Sequence, residues 1–148
     1  MIDNLDRALI DAMQKDGRIT SVELAKKLKI SDATVRFRLK KLTGQNILRI
    51  TAGINPLAFQ EGIAAYIGIE LEKRTHPTTM QAIANVKGVV SVCNVTGRYD
   101  LLVEVFFESR QDLRKFLFED LLTIKGINRT ETFVVLEGIN KWTELAAS

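Results

Sequence analysis

The sequence predicts an α+β chain, an N-terminal winged helix-turn-helix followed by a C-terminal ferredoxin-like βαββαβ domain. Three observations predict it. Within the first fifty positions apolar residues recur at helical spacing in three short runs, the last two separated by a tight turn. From residue 63 onward the pattern switches between strand and helix periods in the order β-α-β-β-α-β. The charge is divided as well: residues 1–50 carry 11 Lys and Arg against 6 Asp and Glu, whereas residues 51–148 carry 10 against 12. A basic front and a mildly acidic back suggest two modules, of which the first meets a polyanion.

Bulk composition narrows the classes. A chain of 148 residues is long enough for two small domains, and 46% apolar with 26% charged residues is a globular composition. No apolar run reaches the roughly 18 residues of a transmembrane helix. The start, "MIDNLDRALI", lacks the basic end and long apolar stretch of a signal peptide. A single cysteine, Cys93, and a single histidine, His76, exclude an intrachain disulfide and a His/Cys zinc site. A cytoplasmic protein without a metal or cofactor is expected.

In the first run Ile2, Leu5, Leu9 and Met13 share one helix face, and Gly17 ends it. Thr20 and Glu23 then have the spacing of a capping box, in which each side chain satisfies a free amide at the helix start. Leu24 and Leu28 form the stripe of that helix. Ser31 is an N-cap for the third helix, Asp32 suits its positive end, Val35, Leu39 and Leu42 form its core stripe, and Gly44 stops it. The short turn around Lys29 and Ile30 is the helix-turn-helix signature, with Ile30 plugging the core beneath it. The left-handed turn position, commonly Gly, is Lys29 here, at a cost of roughly 1 kcal/mol.

Opposite its core stripe the third helix carries Thr34, Arg36, Phe37, Arg38, Lys40 and Lys41. Arg reaches guanine bidentately in the major groove, and Lys neutralises phosphate. An ordinary solvated helix face has the same composition, but the turn, the caps and the charge excess agree on double-stranded DNA as partner. Ser31, Thr34, Arg36, Phe37, Arg38, Lys40 and Lys41 are therefore the expected DNA-binding residues. "QNILRITAGINP" reads as a short strand or wing, completing a domain over 1–51 and leading into a linker at 52–62.

The rest, 63–148, reads as strand 63–72, helix 76–88, strand 89–95, strand 99–108, a helix started by Ser109 and Asp112 and ended at Lys125-Gly126, and strand 129–137. His76, beside Pro77, sits at a helix start and fits a cap, and Cys93 fits strand packing. The segments "NVKGVVSV" and "TIKGINRT" echo each other at the two helix-to-strand exits. Two helices cover one sheet face. The other face, with Tyr66, Leu102 and Phe106 among Glu104 and Glu108, is too apolar to be merely wet, and a homodimer or higher oligomer through it is expected. Between the second and third strands lies "VTGRYDLLVEV", a tight connection with an Arg, a Tyr and an Asp at its tip.

The front segment "DRALIDAMQKDGRITSVELAKKLKISDATVRFRLKKL", the loop "VTGRYDLLVEV" and the strand "RTETFVVLE", in that order and spacing, resemble the Lrp/AsnC family of feast/famine transcription regulators over essentially the whole chain. The resemblance implies a regulator that binds DNA, dimerises through its C-terminal domain, assembles further, often to octamers, and takes a small effector, usually an amino acid, between dimers. It implies that Gly97, Arg98, Tyr99 and Asp100 line the effector pocket, with Thr130 and Thr132 as a second wall. The chemistry suits an amino acid. Asp100 can pair with its ammonium, amides near Gly97 and the Thr hydroxyls can serve its carboxylate, and Tyr99 can cover its side chain. Arg98 and Asp100 acting as turn stabilisers, and the threonines serving strand propensity, is the alternative for these residues.

Two other functions share the architecture. One is an architectural protein that coats DNA with little sequence choice. The other is an enzyme of the haem-pathway decarboxylase type, against which stands the lack of a phosphate loop, paired-carboxylate motif or nucleophilic arrangement in the sequence.

Overall fold

The structure, a computed structural model, describes residues 1–73 and 77–145. The start of the helix expected from His76 lies outside them. The chain divides into two compact units, Met1–Thr51 and Ala52–Ser148.

The first unit is helical: α1 (Asn4–Lys15), α2 (Ser21–Leu28) and α3 (Asp32–Gly44). Each begins at a side-chain cap. Asp3 and Thr20 close reciprocal capping boxes with Asp6 and Glu23, and Ser31 accepts from the Thr34 amide. The Thr20 amide and hydroxyl both donate to the Glu23 carboxylate, which lowers its pKa. Lys29 takes the left-handed conformation (φ 54°, ψ 45°) that the short turn demands. Ile30 then donates its amide to the Ala25 carbonyl at 3.0 Å and packs on Leu9, Ala12, Leu24, Ala25 and Val35.

The expected wing is absent from the described residues. A strand needs a ladder partner, and the chain leaving α3 turns back on its own helix instead. Asn46 is left-handed (φ 54°), and the amides of Ile47 and Leu48 both donate to the Leu42 carbonyl. Gly44 is the last helical residue rather than the left-handed one.

The second unit contains β1 (Ile63–Leu71), α4 (Pro77–Ala84), β2 (Val89–Asn94), β3 (Leu101–Phe107), α5 (Arg110–Lys115) and β4 (Ile127–Val134). The strands form one antiparallel sheet in the order β2-β3-β1-β4, as the βαββαβ reading requires. Both helix-to-strand exits use a glycine with the same backbone, Gly88 (φ 90°) and Gly126 (φ 91°), so the sequence echo is a repeated structural device. Gly88 has a second constraint: a Cβ there would stand 2.1 Å from the Phe107 ring.

The core lies between one sheet face and the helices. Ile67, Ile69, Leu101, Val103 and Val105 meet Ile83 from α4 and Leu113, Phe116 and Leu121 from the second helical stretch. That stretch is no uniform α-helix. A π turn over Phe116–Asp120 and a 3-10 turn over Leu121–Thr123 follow α5. The Leu121 amide bonds back five residues to Phe116, so both side chains reach the core while Phe118 and Leu122 stay exposed.

The segment expected to be a linker is bonded into this unit. Ile54 and Thr143 exchange both backbone bonds, at 2.8 and 2.9 Å, and Pro56–Ala58 form a buried-ended 3-10 turn capped by Asn55. Phe59 and the Gly62 backbone then cover Phe106, leaving it 2% exposed, so its own chain covers part of the face expected to meet a second copy. On the same face Lys141 pairs with Glu104 and lies over the Tyr66 ring. Burial disfavours its ammonium, but bonds to Glu104 and Tyr66 outweigh this and raise its pKa. Cys93, expected to pack, is exposed there instead, because it stands opposite Leu102 on the helix-free side. Phe133, Leu136, Ile139 and Trp142 also remain exposed.

Candidate functional site

Two regions carry the residues singled out from the sequence, one in each unit. On α3 the buried side is set by Val35 and Leu42, with Leu39 half-buried. At about 100° per residue the opposite stripe is Ala33, Arg36, Phe37 and Lys40, and all four are exposed. Arg36 is rooted by a 2.8 Å bond from Nε to Asp32 one turn earlier, and its side chain is 70% exposed. Lys41 is half-buried at the border of the stripe. Ser31 and Thr34 are engaged with each other, hydroxyl to hydroxyl at 2.7 Å and Thr34 amide to Ser31 hydroxyl at 3.1 Å, as a helix cap.

Arg38 departs from the expected set. It turns away from the exposed stripe toward the start of α1, where Nη1 bonds Asp3 and, at 2.8 Å, the fully buried Asp6. The guanidinium holds the Asp3 carboxyl down to about 2 and lowers that of Asp6, and the two carboxylates raise the pKa of Arg38 in return. Arg38 is the clasp of α3 on α1, not part of an outward face. Its direction is decided by acidic partners more than thirty positions earlier, which helical phase alone does not reveal.

In the second unit the loop between β2 and β3 is a tight closure. Gly97 has φ +125° and open space on its Cβ side. Asp100 is the knot. Its amide donates to the Ile69 carbonyl at 2.9 Å, its carbonyl accepts from Val95 at 3.1 Å, and its carboxylate accepts from the Leu71 amide at 2.8 Å. That is the turn-stabilising role, with one carboxylate oxygen engaged. Tyr99 folds over the helix-free sheet face, onto Gly68, where a Cβ would stand 2.6 Å from the ring. It meets Phe133 edge-on at 6.1 Å, and the Arg98 guanidinium lies 5.4 Å from its ring centre. Arg98 also faces Glu131 at 3.7 Å, a loose pair between partly exposed groups.

The structure does not bring Thr130 and Thr132 to this cluster. They stand opposite Ile69 and Ile67, whose side chains fill the helix-side core, so they belong to the other face of the sheet. Glu131 and Phe133, opposite Gly68 and Tyr66, occupy the position expected of them. Sequence reasoning missed both. The period-2 alternation of "RTETFVV" separates the two sets, but choosing between them needs the register against β1.

Among the described residues no group of three or more His, Cys, Asp and Glu is placed to hold a metal ion, and no helix is long and apolar enough to cross a membrane. A concavity of about 300 Å³ in the second unit lies at the other end of β3, lined by Lys87, Phe107, Asp112, Lys115 and Asp120 and apart from the loop.

Comparison with known proteins bears on both regions. The profile of the AsnC-type helix-turn-helix domain matches residues 2–43, and that of the Lrp/AsnC ligand binding domain matches residues 64–145. An uncharacterized HTH-type transcriptional regulator of Pyrococcus abyssi is 33% identical over 95% of this chain and 96% of its own length. The structure of E. coli AsnC is similar with a TM-score of 0.71 at 28% identity, covering 93% of this chain and 94% of that one. A transcriptional regulator from Neisseria meningitidis, solved as a complex with L-Met, is similar with a TM-score of 0.71 at 25% identity, covering 95% and 94%.

Proposed function

The chain belongs to the Lrp/AsnC family of transcription regulators, with a helix-turn-helix domain and a ligand-binding domain, and from that premise we propose that it reads specific DNA sequences through α3 and answers to an amino acid or a close relative. One observation carries the first half. The solvent face of α3 presents Arg36, Phe37 and Lys40 together, on a helix fixed by the Ser31 cap and the Arg38 clasp. A face held this rigidly on a regular element keeps its contacts in register. Two copies related by a two-fold axis set such helices into successive major grooves about one helical turn, ~34 Å, apart or at multiples of it. The exposed Phe133, Leu136, Ile139 and Trp142 are the apolar surface from which a second copy is recruited.

The effector reading rests on Arg98 and Glu131. Their opposite charges are 3.7 Å apart and only loosely paired, so an arriving amino acid can part them and take over both partners, its carboxylate on Arg98 and its ammonium on Glu131. Tyr99 and Phe133 supply an apolar wall beside it. The L-Met complex of the Neisseria relative supports an amino acid as the class. The effector acts by binding one assembly better than another, since only differential affinity shifts an equilibrium.

Selection from a random duplex pool by the full chain tests the DNA half. An enriched consensus with two related half-sites is expected. Retention without any consensus favours the DNA-coating alternative, and no retention at low salt contradicts DNA binding outright. A thermal-shift screen against the standard amino acids tests the other half. One of them should raise Tm, and Glu131→Gln should abolish that rise without lowering Tm in its absence.

A further inference from the structure

One side chain on the exposed face of α3 is unlike its neighbours. Phe37 is 70% exposed, on the stripe that holds Arg36 and Lys40. The core of its unit is filled by Leu9, Leu24, Val35 and Leu42, and Phe37 has no part in it. Nor does its ring meet another ring or a cation among the described residues. Ala33, one turn earlier on the same stripe, is exposed too. Helical side chains lean toward the N-terminus, so the Phe37 ring stands over the turn that carries Ala33. The result is an apolar strip lying beside two cations.

A helix in the major groove meets donors, acceptors and a single apolar group, the C5-methyl of thymine. Arg36 and Lys40 serve the acceptors and phosphates. Phe37 and Ala33 can make no hydrogen bond through their side chains. They gain only where water is displaced from another apolar surface. We propose that Phe37, with Ala33 beside it, is a specificity-determining contact for a thymine methyl in each half-site. The DNA is then chosen at that position by a methyl group and not by hydrogen bonding. The inference rests on α3 binding DNA as proposed above, and it adds the base and the group that is read.

Deoxyuridine keeps every hydrogen-bonding group of thymine and lacks only the methyl, so it isolates the contact. In the duplex enriched by selection, each thymine of a half-site is replaced in turn and the affinity of the full chain measured. Replacement at one position per half-site should weaken binding about fourfold, the effect of one buried methyl. Phe37→Ala should bind the thymine and uridine duplexes equally, while keeping its preference at the other positions. The substitution removes an exposed ring, and an unchanged Tm shows the fold intact. If no thymine responds, or if Phe37→Ala keeps the full uridine penalty, the proposal is overturned and DNA binding by α3 still stands. If the chain retains no duplex, or binds all duplexes alike, the reading beneath it fails and the proposal falls with it.

Discussion

At the scale of the residue, Arg38 and Lys29 show how far local sequence carries. Lys29 stands where the turn needs a left-handed residue, and the backbone obliges at φ 54°. Lys29→Gly relieves that strain at some cost in unfolded-state entropy, and should stabilise the helix-turn-helix by about 0.5–1 kcal/mol in urea denaturation. This feature was legible because turn length and capping residues lie within a few positions of one another. Arg38 was not, because its neighbours on α3 place it beside the exposed stripe while its partners lie on α1. Its clasp has a pH signature. Asp3 titrates at about 2 and Asp6 below its ordinary value of 3.8, so both carboxyls are depressed on folding. The stability they contribute is complete well above 3.8 and is lost as pH falls through their folded values. Acid titration of the chain followed by circular dichroism should show this loss between about pH 4 and 2, and Arg38→Met should flatten it while lowering stability at neutral pH.

Elements were legible where period and punctuation agreed. The capping box at Thr20 and Glu23, the N-cap at Ser31 and the paired exits at Gly88 and Gly126 all formed as read. Thr20→Ala should cost about 1 kcal/mol, seen as a lower denaturation midpoint. Gly88→Ala should cost roughly 2–4 kcal/mol, since it meets both a left-handed backbone and the Phe107 ring. The wing failed because weak alternation in "QNILRITAGINP" describes a strand only if a partner strand exists, and the first unit is built of helices. The π turn was illegible for a related reason. Phe116 and Leu121 are five apart, a spacing that a plain helix does not put on one face, and only the packed core shows that both point inward.

At the scale of the molecule, the order of elements, the charge division and the sheet topology followed from pattern alone, but the covering of the helix-free face did not. Residues 54–62 and 139–143 are distant in sequence, and they meet through Ile54 and Thr143 over a face expected to be covered by a second copy. The same distance hid Glu131 and Phe133, since the loop at Gly97–Asp100 acquires its companions only through the register of β4 on β1. The proposed role of the whole molecule is DNA engagement by α3 through Arg36 and Lys40, from a scaffold in which Arg38 is structural. The direct measurement is a fluorescence-anisotropy titration of the full chain on a selected duplex, across a range of salt concentrations, for the wild type, Arg36→Ala and Lys40→Ala. Arg36→Ala should lose about 1–3 kcal/mol of preference for the selected sequence, and Lys40→Ala should bind all sequences more weakly with a salt slope reduced by about 1. Affinity, preference and salt slope all unchanged in both variants would contradict DNA engagement through Arg36 and Lys40.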